Sequence, residues 1–217
     1  MLAYCHGFPV ETAPMTQNDP PVTLAAALEE NTRLHAELAQ LRQAEACAAR
    51  SEGVTDELTG LKNRRYFNLL FMEEQKRAHR EGSTLTLLLA DIDSFKVYND
   101  SHGAPRGDLL LQAVAGALGA ALNRPGDLAF RLGGDEFACL FVTTVERESL
   151  ELAERICQLV EARAIEHAGN VPHAVATLSA GVAFLRPDAE LALVDACTLA
   201  EQALHRARHN GRNTASR

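Results

Sequence analysis

RLGGDEF, residues Arg131 to Phe137, follows one apolar run (Leu128, Ala129, Phe130) and opens another, Phe137 to Val142. Two short apolar runs joined by a Gly-Gly pair read as a β-hairpin. Gly133 and Gly134 at its tip are free to take positive φ and to let backbone approach a ligand closely. Asp135 and Glu136 come straight after them. A polar turn on plain surface would accept the same residues. Backbone room for phosphate beside carboxylates that hold a divalent cation is the more specific combination.

Working outward from the hairpin, hydrophobic periodicity predicts a helix at about Arg64–Glu81 and a strand at Thr84–Ile92. A helix at about Arg106–Leu122 comes next, followed by hairpin strands at Asp127–Leu132 and Phe137–Val142. A helix at about Arg147–Ala168, a strand at Ala174–Leu185 and a helix at Leu191–His209 close the chain. The order β-α-β-β-α-β plus a terminal helix is the ferredoxin-like α/β (α+β) unit. In that topology the first strand neighbours the hairpin, which turns separate patches of sequence into one site.

The first strand ends as LLLADIDSFKVYND, Leu87 to Asp100. Its apolar run suits a buried central strand, and Asp91 and Asp93, two apart, share a face. A carboxylate at the end of a buried strand must be paired, solvated or metal-bound. With the hairpin tip beside it, Asp91 joins Asp135 or Glu136 in an all-oxygen site suited to Mg²⁺ or Mn²⁺. Lys96 follows within a turn, a cation where a phosphate would sit.

Composition narrows the class. The chain has 217 residues with a formal charge of -8, which argues against a nucleic-acid-binding surface. Its five cysteines are scattered, without metal-ligand spacing, as expected of structural thiols in a reducing cytoplasm. No apolar stretch approaches the roughly 20 residues that span a bilayer, and the first ten residues make a poor signal peptide. A cytoplasmic protein is expected, with no nucleic-acid or membrane partner. Residues 1–21, with Pro9, Pro14, Pro20 and Pro21, are expected to be disordered, and Met15 offers an alternative start. Residues 22–51 lack Pro and Gly, and spacing of three and four picks out Leu24, Ala27, Asn31, Leu34, Leu38, Leu41, Glu45 and Ala48. That seam predicts a parallel coiled-coil dimer, with Asn31 fixing register; a single helix folded back on its own domain is the alternative. Residues 52–217 then form the globular domain.

Five stretches together carry a family resemblance: DELTGLKNRR (Asp56 to Arg65), DIDSFKVYND (Asp91 to Asp100), RLGGDEF, LSAGVA (Leu178 to Ala183) and ALHRARHNGRN (Ala203 to Asn213). In this order and spacing the chain resembles GGDEF-type diguanylate cyclases, from Asp56 to Asn213. The resemblance implies a nucleotidyl-cyclase-like fold and condensation of two GTP into cyclic di-GMP with release of two pyrophosphates, by a homodimer with one GTP per protomer. It implies that Asp91, the Ile92 carbonyl, Asp135 and Glu136 hold Mg²⁺ or Mn²⁺, with Asp135 helping to deprotonate the attacking 3′-hydroxyl. Lys96, Arg208 and Arg212 would meet the departing pyrophosphate, and Gly133 and Gly134 would leave room for the α- and β-phosphates. Asn99 and Asp108 would read guanine: adenine has no matching donors, and a buried carboxylate left unpaired is costly. Arg124 and Asp127 match the family's inhibitory RxxD site, where cyclic di-GMP binds as allosteric ligand.

The chain departs from the family pattern in HGAPRGD, where Ala104 takes a usual His position. Pro105 stiffens the approach to the helix and suits its first position. His205 and Arg208 stand where Tyr and Lys are usual, and Arg presents a planar fork in place of a point charge. No expected metal ligand is lost, so activity is expected, with a raised KM. A catalytically silent receptor that senses cyclic di-GMP through Arg124 and Asp127 is the alternative.

Overall fold

The computed structural model describes residues 53–143, 145–188 and 191–217. The expectations for residues 1–21 and for the coiled coil at 22–51 lie outside the described residues.

The elements in chain order are β1 (Lys62–Asn63), α1 (Arg64–Glu81), β2 (Thr84–Ile92), α2 (Phe95–His102), α3 (Ala104–Ala121), β3 (Leu128–Gly133), β4 (Glu136–Thr143), α4 (Glu146–Glu161), β5 (Leu178–Leu185), α5 (Leu193–His209) and β6 (Ala215–Ser216). One sheet runs β1-β3-β4-β2-β5-β6. Strand β2 is antiparallel to both neighbours, with Asp91 opposite Glu136 on β4 and Ser179 on β5. The expected β-α-β-β-α-β order and the adjacency of β2 to the hairpin are therefore present.

Alternation along β2 builds two cores. Leu85, Leu87 and Leu89 face α1 and α5, with Phe67, Phe71, Phe130 and Leu140. Leu88, Ala90 and Ile92 face α3 and α4, with Phe137, Phe141, Leu118 and Ile156. Each fully buried Leu or Phe contributes roughly 1.5–3 kcal/mol. On the α1/α5 side a Cβ on Gly181 would lie 2.1 Å from the Ala200 carbonyl and 2.2 Å from the Leu204 nitrogen, so Gly181 lets α5 sit directly on the sheet. Helix α1 starts on Asn63, whose side chain accepts from the Tyr66 N–H, and stops at Gly82 with φ 64°.

Several boundaries differ from the sequence reading. Residues 95–102 form a separate helix, α2, entered through Ser94 at φ 58°. Helix α3 starts at Ala104, with Pro105 in its first turn, where the missing N–H costs nothing. Helix α4 ends at Glu161, seven residues before the expected Ala168, and β5 starts at Leu178. Between them residues 162–177 double back, closed by an antiparallel bridge from Glu166 to Val175. Gly169, Asn170 and Pro172 sit at its bend, and this turn chemistry overrides the helical pattern before it. The two-residue strands β1 and β6 extend the sheet at both edges; they are too short for any periodicity to announce them.

Candidate active site

Strand parity decides which acids meet. Asp91 continues the Leu85–Leu87–Leu89 face, and Glu136 continues the Ala138–Leu140 face of β4, so both look toward α1 and α5. Helix α5 supplies Arg208, whose guanidinium contacts the Asp91 carboxylate, a side chain only 15% exposed. Asp135, half-buried at the hairpin tip, also reaches Asp91. Burial raises the Asp91 carboxyl above the usual carboxylate range; Arg208 opposes the rise and the neighbouring negative charge of Asp135 adds to it, leaving it pushed up to about 7. Two crowded carboxylates at a strand end call for a cation between them. Glu136 is turned aside: its carboxylate is 2.8 Å from the Arg64 guanidinium. Among the described residues no three His, Cys, Asp or Glu side chains form a ready metal cage. Mg²⁺ typically takes one or two carboxylates and completes its shell with water and phosphate, and Asp91 and Asp135 supply two carboxylates. These residues fit such an ion. Beside them opens a cleft of about 680 Å³, lined by Arg64, Asp91, Glu136, Glu201, His205 and Arg208.

The hairpin tip is clamped from inside. Gly133 and Gly134 take φ 138° and 53° with open space where a Cβ would be, so it is conformation, not crowding, that requires glycine. Arg131 donates to the Gly134 carbonyl at 2.8 and 3.0 Å and forks onto both oxygens of Asp56 at 3.1 and 3.2 Å. Asp56 in turn accepts from the Thr59 backbone N–H and hydroxyl. Burial alone would raise its pKa, but these bonds and Arg131 outweigh burial and lower it. Arg64 adds a bond to the Leu132 carbonyl. The sequence reading gave Arg131 and Arg64 no role. The signal was present: an arginine inside an apolar strand, and an Asp three residues before a Thr, the pattern of a side-chain-capped turn.

A second cluster lies on α2 and α3. Lys96 is exposed in the first turn of α2. Asn99, one turn on, has a buried Oδ1 without a partner. A Cβ on Gly107 would lie 1.9 Å from that oxygen, so Gly107 makes the space for Asn99. Asp108, exposed, follows Gly107 directly, beyond the first turn of α3, which holds no acid. The buried Asn99 amide oxygen is left without a donor among the described residues. Ile92 ends β2 with its side chain in the α3/α4 core.

Arg212 lies in the turn after α5, where Gly211, Arg212 and Asn213 have φ 110°, 65° and 49°. Asp93 holds that turn. Its carboxylate, in a residue 2% exposed, accepts from Thr177 and Ser179 at 2.7 Å and from the Asn213 N–H at 3.1 Å. The shared face expected for Asp91 and Asp93 thus divides: Asp91 enters the cleft, while Asp93 is consumed by a brace. Arg124 and Asp127 sit at the opposite end of β3, about 20 Å of strand from the tip. They close a turn through two bonds, 3.0 and 3.1 Å long, and line a separate pocket of about 410 Å³ with Glu148 and Arg155.

With this geometry in hand, comparison with known proteins defines the class. The profile of the family described as diguanylate cyclase, GGDEF domain, matches residues 53–214, and the chain belongs to this family. Among its relatives, diguanylate cyclase DosC of Escherichia coli is 37% identical over 167 residues, which is 76% of this chain and 35% of DosC. The cyclic di-GMP phosphodiesterase NbdA of Pseudomonas aeruginosa is 36% identical over 188 residues, 87% of this chain and 23% of NbdA. The chain thus spans about a third or less of the length of these two proteins. The crystal structure of the coiled coil and GGDEF domain of DgcB from Caulobacter crescentus, in complex with c-di-GMP, superposes with TM-score 0.67 at 29% identity, covering 89% of this chain and 96% of that one. No helix among the described residues is long and apolar enough to cross a membrane.

Proposed function

We propose that this chain condenses two GTP molecules into cyclic di-GMP and two pyrophosphates, as a homodimer that uses Mg²⁺ or Mn²⁺. The observation that carries this reading is the meeting of Asp91 with Asp135 beside Arg208 at the rim of an open cleft. Each 3′-hydroxyl oxygen attacks the α-phosphorus of the other GTP. A P–O bond forms, the α–β phosphoanhydride bond breaks, and pyrophosphate leaves in line. Asp91 and Asp135 would hold the divalent ion, with the Ile92 carbonyl and Glu136 as further oxygens; when bound, that ion supplies charge neutralisation on the phosphates. The Asp135 carboxylate takes the 3′-hydroxyl proton. Gly133 and Gly134 let the tip backbone pass close to the phosphates. Lys96, Arg208 and Arg212 receive the negative charge of the leaving pyrophosphate. Asn99 Oδ1 and the Asp108 carboxylate accept from guanine, which favours GTP over ATP.

The test is direct. Purified protein with GTP and Mg²⁺ should yield cyclic di-GMP and pyrophosphate, and Asp91→Asn and Asp135→Asn should each abolish turnover while leaving the melting temperature near that of the parent. A folded, dimeric sample that makes no product would overturn the reading. A second reading, a silent cyclic di-GMP receptor, is favoured by the separate pocket around Arg124 and Asp127. Tight binding of cyclic di-GMP that Arg124→Ala removes, without turnover, would select it. With turnover, the same loss marks Arg124 and Asp127 as a product-inhibition site.

A further inference from the structure

At the end of α5 the sequence reads HRARH, His205 to His209. The two histidines stand one helical turn apart on one face, and both are exposed. Their Nε2 atoms face each other at 3.1 Å, with ring centroids 4.3 Å apart and ring planes at 53°. A single N–H···N hydrogen bond accounts for that distance. So does one ion: two imidazole nitrogens held at roughly 2.0–2.1 Å by a tetrahedral centre lie about 3.3 Å from each other. Neither ring has another hydrogen-bond partner among the described residues. The arginines between them are drawn elsewhere, Arg206 onto the Arg217 carbonyl and Arg208 onto Asp91. Their charges therefore do not sit between the rings.

We propose that His205 and His209 form a binding site for one divalent ion of the zinc, nickel or copper class, bound through both Nε2 atoms. Two neutral imidazoles select these ions, whereas the carboxylate pair Asp91 and Asp135 selects magnesium or manganese. Among the described residues no third His, Cys, Asp or Glu completes a cage, so the remaining positions belong to water or to an oxygen of a small anion. His205 also lines the cleft beside Arg208. The ion therefore sits on the cleft rim, and chelation from His205 to His209 fastens the last turn of α5, which carries Arg208. This site stands whether or not the chain is a cyclase.

The experiment uses tag-free full-length protein in excess Mg²⁺, which occupies the oxygen site. Cu²⁺ is followed by electron paramagnetic resonance and Ni²⁺ by calorimetry. One ion per chain with nitrogen ligation is expected, together with a rise in melting temperature on adding Ni²⁺. His205→Gln and His209→Gln keep good helix-forming residues on the surface. Each should weaken Ni²⁺ binding on the order of tenfold or more, while Asp91→Asn leaves it unchanged. Affinity and nitrogen ligation that persist undiminished in both single variants would overturn the site, as would no Ni²⁺ binding at all.

Discussion

Arg131 and Asp56 do for the hairpin what no metal ligand can: they fix its tip before any substrate arrives. The fork from Arg131 to Asp56 and the bonds from Arg131 to the Gly134 carbonyl set the backbone from which Asp135 projects. Side chains 13% and 24% exposed keep this ion pair largely out of water, where hydrogen bonds to charge are worth about 1.5–3 kcal/mol. Asp56→Asn should lower the unfolding free energy by roughly that amount at neutral pH. The pH dependence follows from the lowered Asp56 pKa. A carboxyl whose folded pKa lies below its unfolded value, about 3.9, contributes fully above that value and loses the contribution as pH falls through the folded pKa. Urea unfolding of both proteins between pH 7 and pH 3 should therefore give stability curves that converge at the acid end. Parallel curves would mean that the charge of Asp56 is irrelevant to the clamp.

At the scale of elements, the site depends on how β2, β5 and α5 are held together. Gly181 admits α5 to the sheet, so Gly181→Ala should push α5 off by a few tenths of an ångström or more and cost about 1–3 kcal/mol. A thermal unfolding midpoint equal to that of the parent would refute the close approach. Beyond α5, Asp93 braces the turn that carries Arg212. Asp93→Asn should raise the KM for GTP more than it lowers kcat. In an Arg212→Ala background the same change should add little, because the residue through which Asp93 acts is gone. Additive effects would assign Asp93 a merely structural role. Much of this was legible in the sequence. The apolar run in LLLADID gave the buried strand, and the β-α-β-β-α-β order placed it beside the hairpin, with Asp91 expected near Asp135 or Glu136. The brace was not legible, because the donors to Asp93, Thr177, Ser179 and Asn213, are 84 or more residues away. Nor was α2, whose short run after a strand end has too few residues to establish a helical period.

For the whole molecule, the proposed reaction would make the cleft half of a reaction centre. In that reaction a single GTP on one protomer would have its α-phosphorus but no second 3′-hydroxyl to receive, so turnover would require a second copy whose hairpin faces the first. The heptad seam expected from Leu24 to Ala48 would fix such a pairing at low concentration. Tethering raises the effective concentration of one half-site near its partner to about the millimolar range for a short connection. Removing residues 1–50 should then leave the fold of residues 53–217 and its thermal midpoint largely intact. The rate per chain should instead become concentration-dependent, falling steeply on dilution, while the full chain holds its specific activity over the same range. Product formation and sedimentation, measured together across a protein dilution series, separate the possibilities. A truncated chain whose specific activity stays flat on dilution would show that the globular domain finds its partner unaided, and the seam would then need another role.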